Sequence, residues 1–181
     1  MKTLQLKQDF YWAGILDKNL RVFDIIMYTE FGTTYNSYIL KAGDETILFE
    51  TAKEKFFGDY RAALSEQLDI AQIDYIVVDH TEPDHAGSIA HIIAENPQAK
   101  IIATPTAISF LKNIVNEDFY SIPVKNGDEL KIGNKTLRSS SFCRICIGPI
   151  PCIPISRRIK PLLPVIPLAL IMPMRGFSEA P

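Results

Sequence analysis

The chain has 181 residues, enough for one domain of ordinary size or one and a half. Hydrophobic residues make up 47% and charged residues 22%, so a sizeable core can form and disorder is excluded as the default. A formal net charge of −2 leaves no basic footprint for nucleic acid, and no stretch of about 18 apolar residues free of charge and proline offers a membrane span.

The amino terminus, MKTLQLKQDFYW, lacks the apolar region of a secretory signal, so a cytoplasmic protein is expected. Residues 10–26 contain two β-rich runs with a hairpin turn expected at Asp17-Lys18-Asn19. Thr33 to Leu40 and Thr46 to Phe49 read as strands around the turn signal Ala42-Gly43-Asp44. Helical spacing of Phe56, Phe57, Tyr60, Ala63, Leu64 and Leu68 predicts a helix over 53–68. The short apolar run Tyr75 to Val78 predicts a strand buried on both faces, and a helix is expected from about Gly87. Lys100 to Ala103 is a second such strand. Thr104-Pro105 then opens a helix with a capping residue and a proline in its first turn. Phe119 to Val124 and Glu129 to Ile132 are expected strands around Asn126-Gly127. Hairpins followed by alternating strands and helices predict an α/β (α+β) arrangement of sheets covered by helices.

The composition breaks near Arg138. Through that residue there are 20 acidic against 14 basic side chains, and after it 1 acidic against 5 basic. Eight of the 12 prolines and all 3 cysteines lie in the last 43 residues. Residues 1–138 therefore read as a folded domain and 139–181 as a tail without its own fold. The CRIC run and Cys152 in that tail have no second cysteine pair or flanking helix to make them a metal site.

All 3 histidines fall within 12 residues, two of them in His80-Thr81-Glu82-Pro83-Asp84-His85. Pro83 disfavours helical backbone at Glu82, so 80–82 should be extended, with His80 and Glu82 on one side and Thr81 opposite. Two imidazoles and two carboxylates within six residues form a costly cluster unless a counter-ion joins them. A divalent metal, or a pair of metals, would remove that cost, and mixed imidazole and carboxylate donors suit iron or manganese as well as zinc. The plain alternative is a solvated loop whose acids favour a helix amino terminus. His91 lies beyond the loop and reads as a packed or surface histidine.

The segment DHTEPDHAGS resembles the HxExDH signature of flavodiiron proteins, within the metallo-β-lactamase-like superfamily. Most hydrolases of that superfamily carry HxHxDH, so Glu82 is the discriminating residue. Tyr11-Trp-Ala-Gly14, Thr33-Thr-Tyr-Asn-Ser-Tyr38 and Leu48-Phe-Glu-Thr51 are similar to the family in order and spacing. The resemblance implies the first half of a metallo-β-lactamase-like αββα sandwich. It also implies metal ligation by His80, Glu82, Asp84 and His85: His80 and Glu82 on one iron, Asp84 on the other, and His85 a ligand in some members. Two irons would reduce dioxygen to water or nitric oxide to nitrous oxide. FMN in a downstream flavodoxin-like domain and a redox donor would feed them, in a homodimer that sets each flavin against the partner's irons.

The family supplies two further histidines and a bridging aspartate later in the domain, and no histidine follows residue 91. With the reading frame moved by one base, the codons of residues 145–155 admit Leu-His-Trp-Pro-Asp-Thr-Met-Tyr-Thr-Tyr. Those of residues 165–176 admit Asp-Thr-Phe-Gly-Thr-Asn-Tyr-Ala-Asn-Glu-Arg. Both are similar to family segments that carry those ligands, so the tail reads as out-of-frame translation and the chain as inactive. Two alternatives stand beside the oxidoreductase. One is a hydrolase with a metal-bound hydroxide as nucleophile and Asp84 helping to hold it. The other is a non-catalytic remnant kept for packing or partner binding.

Overall fold

The computed structural model describes residues 2–23 and 25–139. In chain order, β1 (Leu4–Lys7) and β2 (Phe10–Trp12) form a hairpin, and β3 (Ile15–Asp17) follows. The short strands β4 (Val22–Phe23) and β5 (Met27–Tyr28) pair with each other in a sheet of their own among the described residues. Next come β6 (Thr33–Tyr35), β7 (Tyr38–Ala42) and β8 (Glu45–Phe49), then helix α1 (Phe57–Leu64) and β9 (Tyr75–Val77). Helices α2 (Pro83–Ala86) and α3 (Ile89–Glu95) precede β10 (Lys100–Ala103), α4 (Pro105–Val115) and β11 (Tyr120–Pro123). The hairpin β12 (Glu129–Ile132) and β13 (Lys135–Arg138) ends the described chain.

One seven-stranded sheet carries the fold, in the order β1-β2-β7-β8-β9-β10-β11. Its first four strands are antiparallel and its last four run parallel from β8 onward. Side chains alternate across it as a pleated strand requires. Ile39, Leu48, Ile76 and Ile101 face a core that includes Tyr60, Leu64, Ile92 and Leu111 from the helices. Leu40, Ile47, Phe49, Val77 and Ile102 face the opposite core, which Ile132 and Leu137 of the last hairpin share and no helix enters. Among the described residues, all the helices thus pack on one face.

Ile76, Val77, Ile101 and Ile102 are fully buried. Burying each such side chain contributes about 1.5–3 kcal/mol, as an upper bound. The central parallel strands are therefore the fixed points from which the loops at their carboxyl ends depart.

Several sequence expectations are corrected. No hairpin forms about Asp17-Lys18-Asn19, because β3 pairs with the distant β6 instead. Asp17 explains the choice: its buried carboxylate accepts a hydrogen bond from the Tyr35 hydroxyl on β6 and meets Lys55 Nζ at 2.9 Å. Burial pushes that carboxyl up, but Lys55 and Tyr35 outweigh it and hold it below the usual aspartate value. The helix expected over 53–68 is split, since Phe56 (φ −104°, ψ 10°) separates a 3-10 turn at Glu54–Phe56 from α1. The strand expected over 33–40 breaks at Asn36-Ser37 into β6 and β7, which belong to different sheets. The helix expected from about Gly87 forms as α3 from Ile89, and a separate single turn, α2, precedes it from Pro83, whose fixed φ suits a first helical turn. The turn at Gly43 (φ +74°) and the Thr104 cap, which accepts from the Ala107 amide, form where expected. Among the described residues no helix is long and apolar enough to cross a membrane. The tail reading, with its cysteines, falls on residues outside the described ones apart from Ser139.

Candidate metal centre

The loop from Asp79 to Glu82 leaves β9 at the carboxyl edge of the parallel strands, where α/β folds place their ligands. Beside it runs the chain leaving β8, because Glu50 N donates to Val77 O at 2.9 Å and extends the parallel pairing. Glu82 is extended (φ −69°, ψ 154°), as Pro83 requires, and begins α2, which carries Asp84 and His85 in a single turn.

The four expected ligands gather as two pairs. His80 Nε2 lies 3.5 Å from Glu82 Oε1, and His85 Nε2 lies 3.3 Å from Asp84 Oδ2. The His80 and His85 rings stack with centroids 5.3 Å apart, which joins the pairs. Both histidines are buried; Glu82 is the more open, its side chain 41% exposed. Glu82, Pro83 and Asp84 line an open cleft of about 230 Å³ together with Lys53, Leu20, Val22 and Phe23. His91 stands apart, stacked on Phe57 at 4.5 Å with Nε2 3.4 Å from Glu54.

Behind the loop sits a residue that the motif did not single out. Glu50 is 1% exposed and takes left-handed backbone (φ +56°), uncommon outside glycine. Its Oε1 accepts hydrogen bonds from the amides of Asp79 and His80. Its Oε2 faces His85 Nδ1 at 3.0 Å, within ion-pair distance. Thr51 continues the brace by donating from both N and Oγ1 to the His85 carbonyl, at 2.8 and 2.6 Å. Ser88 Oγ donates to Ala52 O at 2.8 Å. The loop is tied at both ends to the residues after β8.

The charges balance in a telling way. Burial pushes the His85 imidazole down, but the Glu50 carboxylate outweighs it, helped by Asp84 and Glu82, and lifts its pKa to about 9. His85 is then a cation among three carboxylates, so a proton supplies part of the positive charge the cluster demands. His80 Nδ1 accepts from the Glu82 amide at 3.3 Å, which leaves Nε2 on the side of Glu82 Oε1.

The donor chemistry fits a divalent metal such as iron: imidazole nitrogens and carboxylate oxygens, paired in a cluster that needs positive charge. The fit stops at pairs. Among the described residues no group of three or more His, Cys, Asp or Glu side chains is arranged to hold one ion.

The family model described as ODP family beta lactamase matches residues 33–142. The flavo-diiron protein FprA2 of Clostridium acetobutylicum is 40% identical over 135 residues, covering 74% of this chain and 34% of that protein. The rubredoxin oxygen:oxidoreductase of Desulfovibrio gigas superposes with a TM-score of 0.76 at 27% identity, over 83% of this chain and 37% of that one. The flavodiiron protein of Giardia intestinalis has the same fold, with a TM-score of 0.76 at 24% identity over 84% of this chain and 37% of that one. The chain thus spans about a third of the length of these relatives.

Proposed function

Since the chain belongs to the ODP family of beta lactamases, as the amino-terminal part of a flavodiiron-type metallo-β-lactamase-like domain, we propose that His80, Glu82, Asp84 and His85 are its share of a diiron centre. The parent protein would be a cytoplasmic homodimer that reduces dioxygen to water or nitric oxide to nitrous oxide with electrons from FMN and a redox donor. When bound, the irons would supply the gas-binding and electron-accepting chemistry. This chain's residues orient the donors and manage protons. Glu50 fixes the Asp79 and His80 amides and faces His85 Nδ1, while Thr51 fixes the His85 carbonyl, so that Nε2 is the nitrogen left on the side of Asp84.

The observation that carries this reading is the meeting of two imidazole–carboxylate pairs at the carboxyl end of β9, backed by a buried carboxylate. Glu82 in place of a second histidine favours the oxidoreductase over a hydrolase of the same superfamily. A second reading, a non-catalytic module, draws support from the lack of any three-donor group among the described residues.

We infer that residues 139–181 are read out of frame, so that the segments resembling the carriers of the remaining ligands are lost from this chain. The test is to purify residues 1–181 beside a form with the frame restored and downstream sequence included. The restored form should hold about two irons per subunit, carry FMN and reduce one of the two gases. Iron at that level or a flavin spectrum in the short form would overturn the frame argument. Their absence from both forms would overturn the diiron reading and leave the non-catalytic module.

A further inference from the structure

Glu50 reaches the loop from a backbone turned into the left-handed region, which is strained for an L-residue and must be held by its surroundings. The holding groups are visible. Ser37 Oγ donates to the Glu50 carbonyl at 3.0 Å and meets the Tyr60 hydroxyl at 2.6 Å, which itself lies 3.5 Å from that carbonyl. Both side chains are fully buried, and they come from different elements: Ser37 from the break before β7, Tyr60 from α1. Burial raises the Tyr60 phenol well above its usual value, so it remains a donor. The simplest arrangement has Tyr60 donating to Ser37 and Ser37 donating to Glu50.

We propose that Ser37 and Tyr60 are positioning residues: their paired hydroxyls clamp the left-handed Glu50 so that its carboxylate meets the Asp79 and His80 amides and shapes the loop for a divalent cation. Neither residue is one of the expected ligands. The inference rests on the reading of 80–85 as a cation-binding loop, but its structural half, the order of the loop without metal, can be measured alone. A packing role predicts something different, because Tyr60→Phe keeps the ring and its apolar contacts while removing only the hydroxyl.

The experiment uses the 181-residue chain, its Tyr60→Phe and Ser37→Ala variants, and Tyr75→Phe as a control. Tyr75 also hydrogen-bonds through its hydroxyl, to Glu45, but at the opposite end of β9. Two readouts are taken: amide hydrogen exchange without metal, and Co²⁺ affinity by visible absorption. In Tyr60→Phe and Ser37→Ala, exchange at Asp79 and His80 should quicken by roughly tenfold while the amides of β10 hold their rates. Co²⁺ affinity should fall by about tenfold or more, the scale set by groups that orient ligands from behind. Unchanged exchange at Asp79 and His80 would overturn the proposal, as would equal losses in Tyr75→Phe. If no form binds Co²⁺, the cation reading fails, while local quickening at Asp79 and His80 would still establish the clamp.

Discussion

Glu50→Ala is expected to destabilise the chain by about 3–5 kcal/mol, the cost of stripping the partner from a buried charged group. Two things are lost together. The Asp79 and His80 amides lose their buried acceptor, and His85 loses the carboxylate that offsets its own burial. Glu50→Gln separates the two. Its side-chain oxygen can still accept from the amides, so the loss should be smaller, about 1–3 kcal/mol, and should lie mainly in the His85 contact. Denaturant midpoints of the two variants against the parent measure both numbers. An alanine variant as stable as the parent would show that the loop is held by something else.

Gly87→Ala is the second large effect, and it arises from backbone rather than charge. A Cβ at this position would sit 2.4 Å from the Pro83 carbonyl oxygen and 2.7 Å from the Glu54 amide nitrogen. Neither atom is a side-chain end that can swing aside, so α2 must shift, and α2 is the turn that carries Asp84 and His85. Overpacking of this kind costs about 1–3 kcal/mol. The Co²⁺ affinity of the loop should drop by about tenfold or more, because a ligand moved by a fraction of an ångström no longer meets the ion. Gly58→Ala makes the contrast: nothing lies within 4 Å of its Cβ, and in α1 alanine should be neutral or stabilising by about 0.5–1 kcal/mol. If the two alanines behave alike, close packing at Gly87 is not what seats the turn.

How far the sequence could be read depended on whether an element is specified locally. The parallel strands were legible because Tyr75 to Val78 and Lys100 to Ala103 are short apolar runs, and burial on both faces needs nothing more. The start of α4 was legible because Thr104 and Pro105 act on the adjacent turn alone. Asp17-Lys18-Asn19 misled because hairpin signals are local while the pairing of β3 with β6 rests on Asp17 meeting Tyr35 and Lys55 across the fold. In the site, proline geometry at Glu82 and the alternation that sets His80 beside it followed from spacing. Glu50 did not. Its sequence context, Leu48-Phe-Glu-Thr51, shows an acid after an apolar strand but not that β8 lies next to β9, which is a fact of topology. A charged residue at the end of one buried strand, read together with a ligand-rich loop at the end of the next, was the available signal.

Whether residues 80–85 bind a cation can be read from how the three imidazole rings respond to Co²⁺, followed by NMR of the histidine-labelled 181-residue chain. His91 serves as an internal control, being stacked on Phe57 away from the loop. The His80 and His85 signals should shift or broaden first as the ion is added, with His91 following only in excess. Equal effects on all three rings, or an effect at His91 alone, would contradict it.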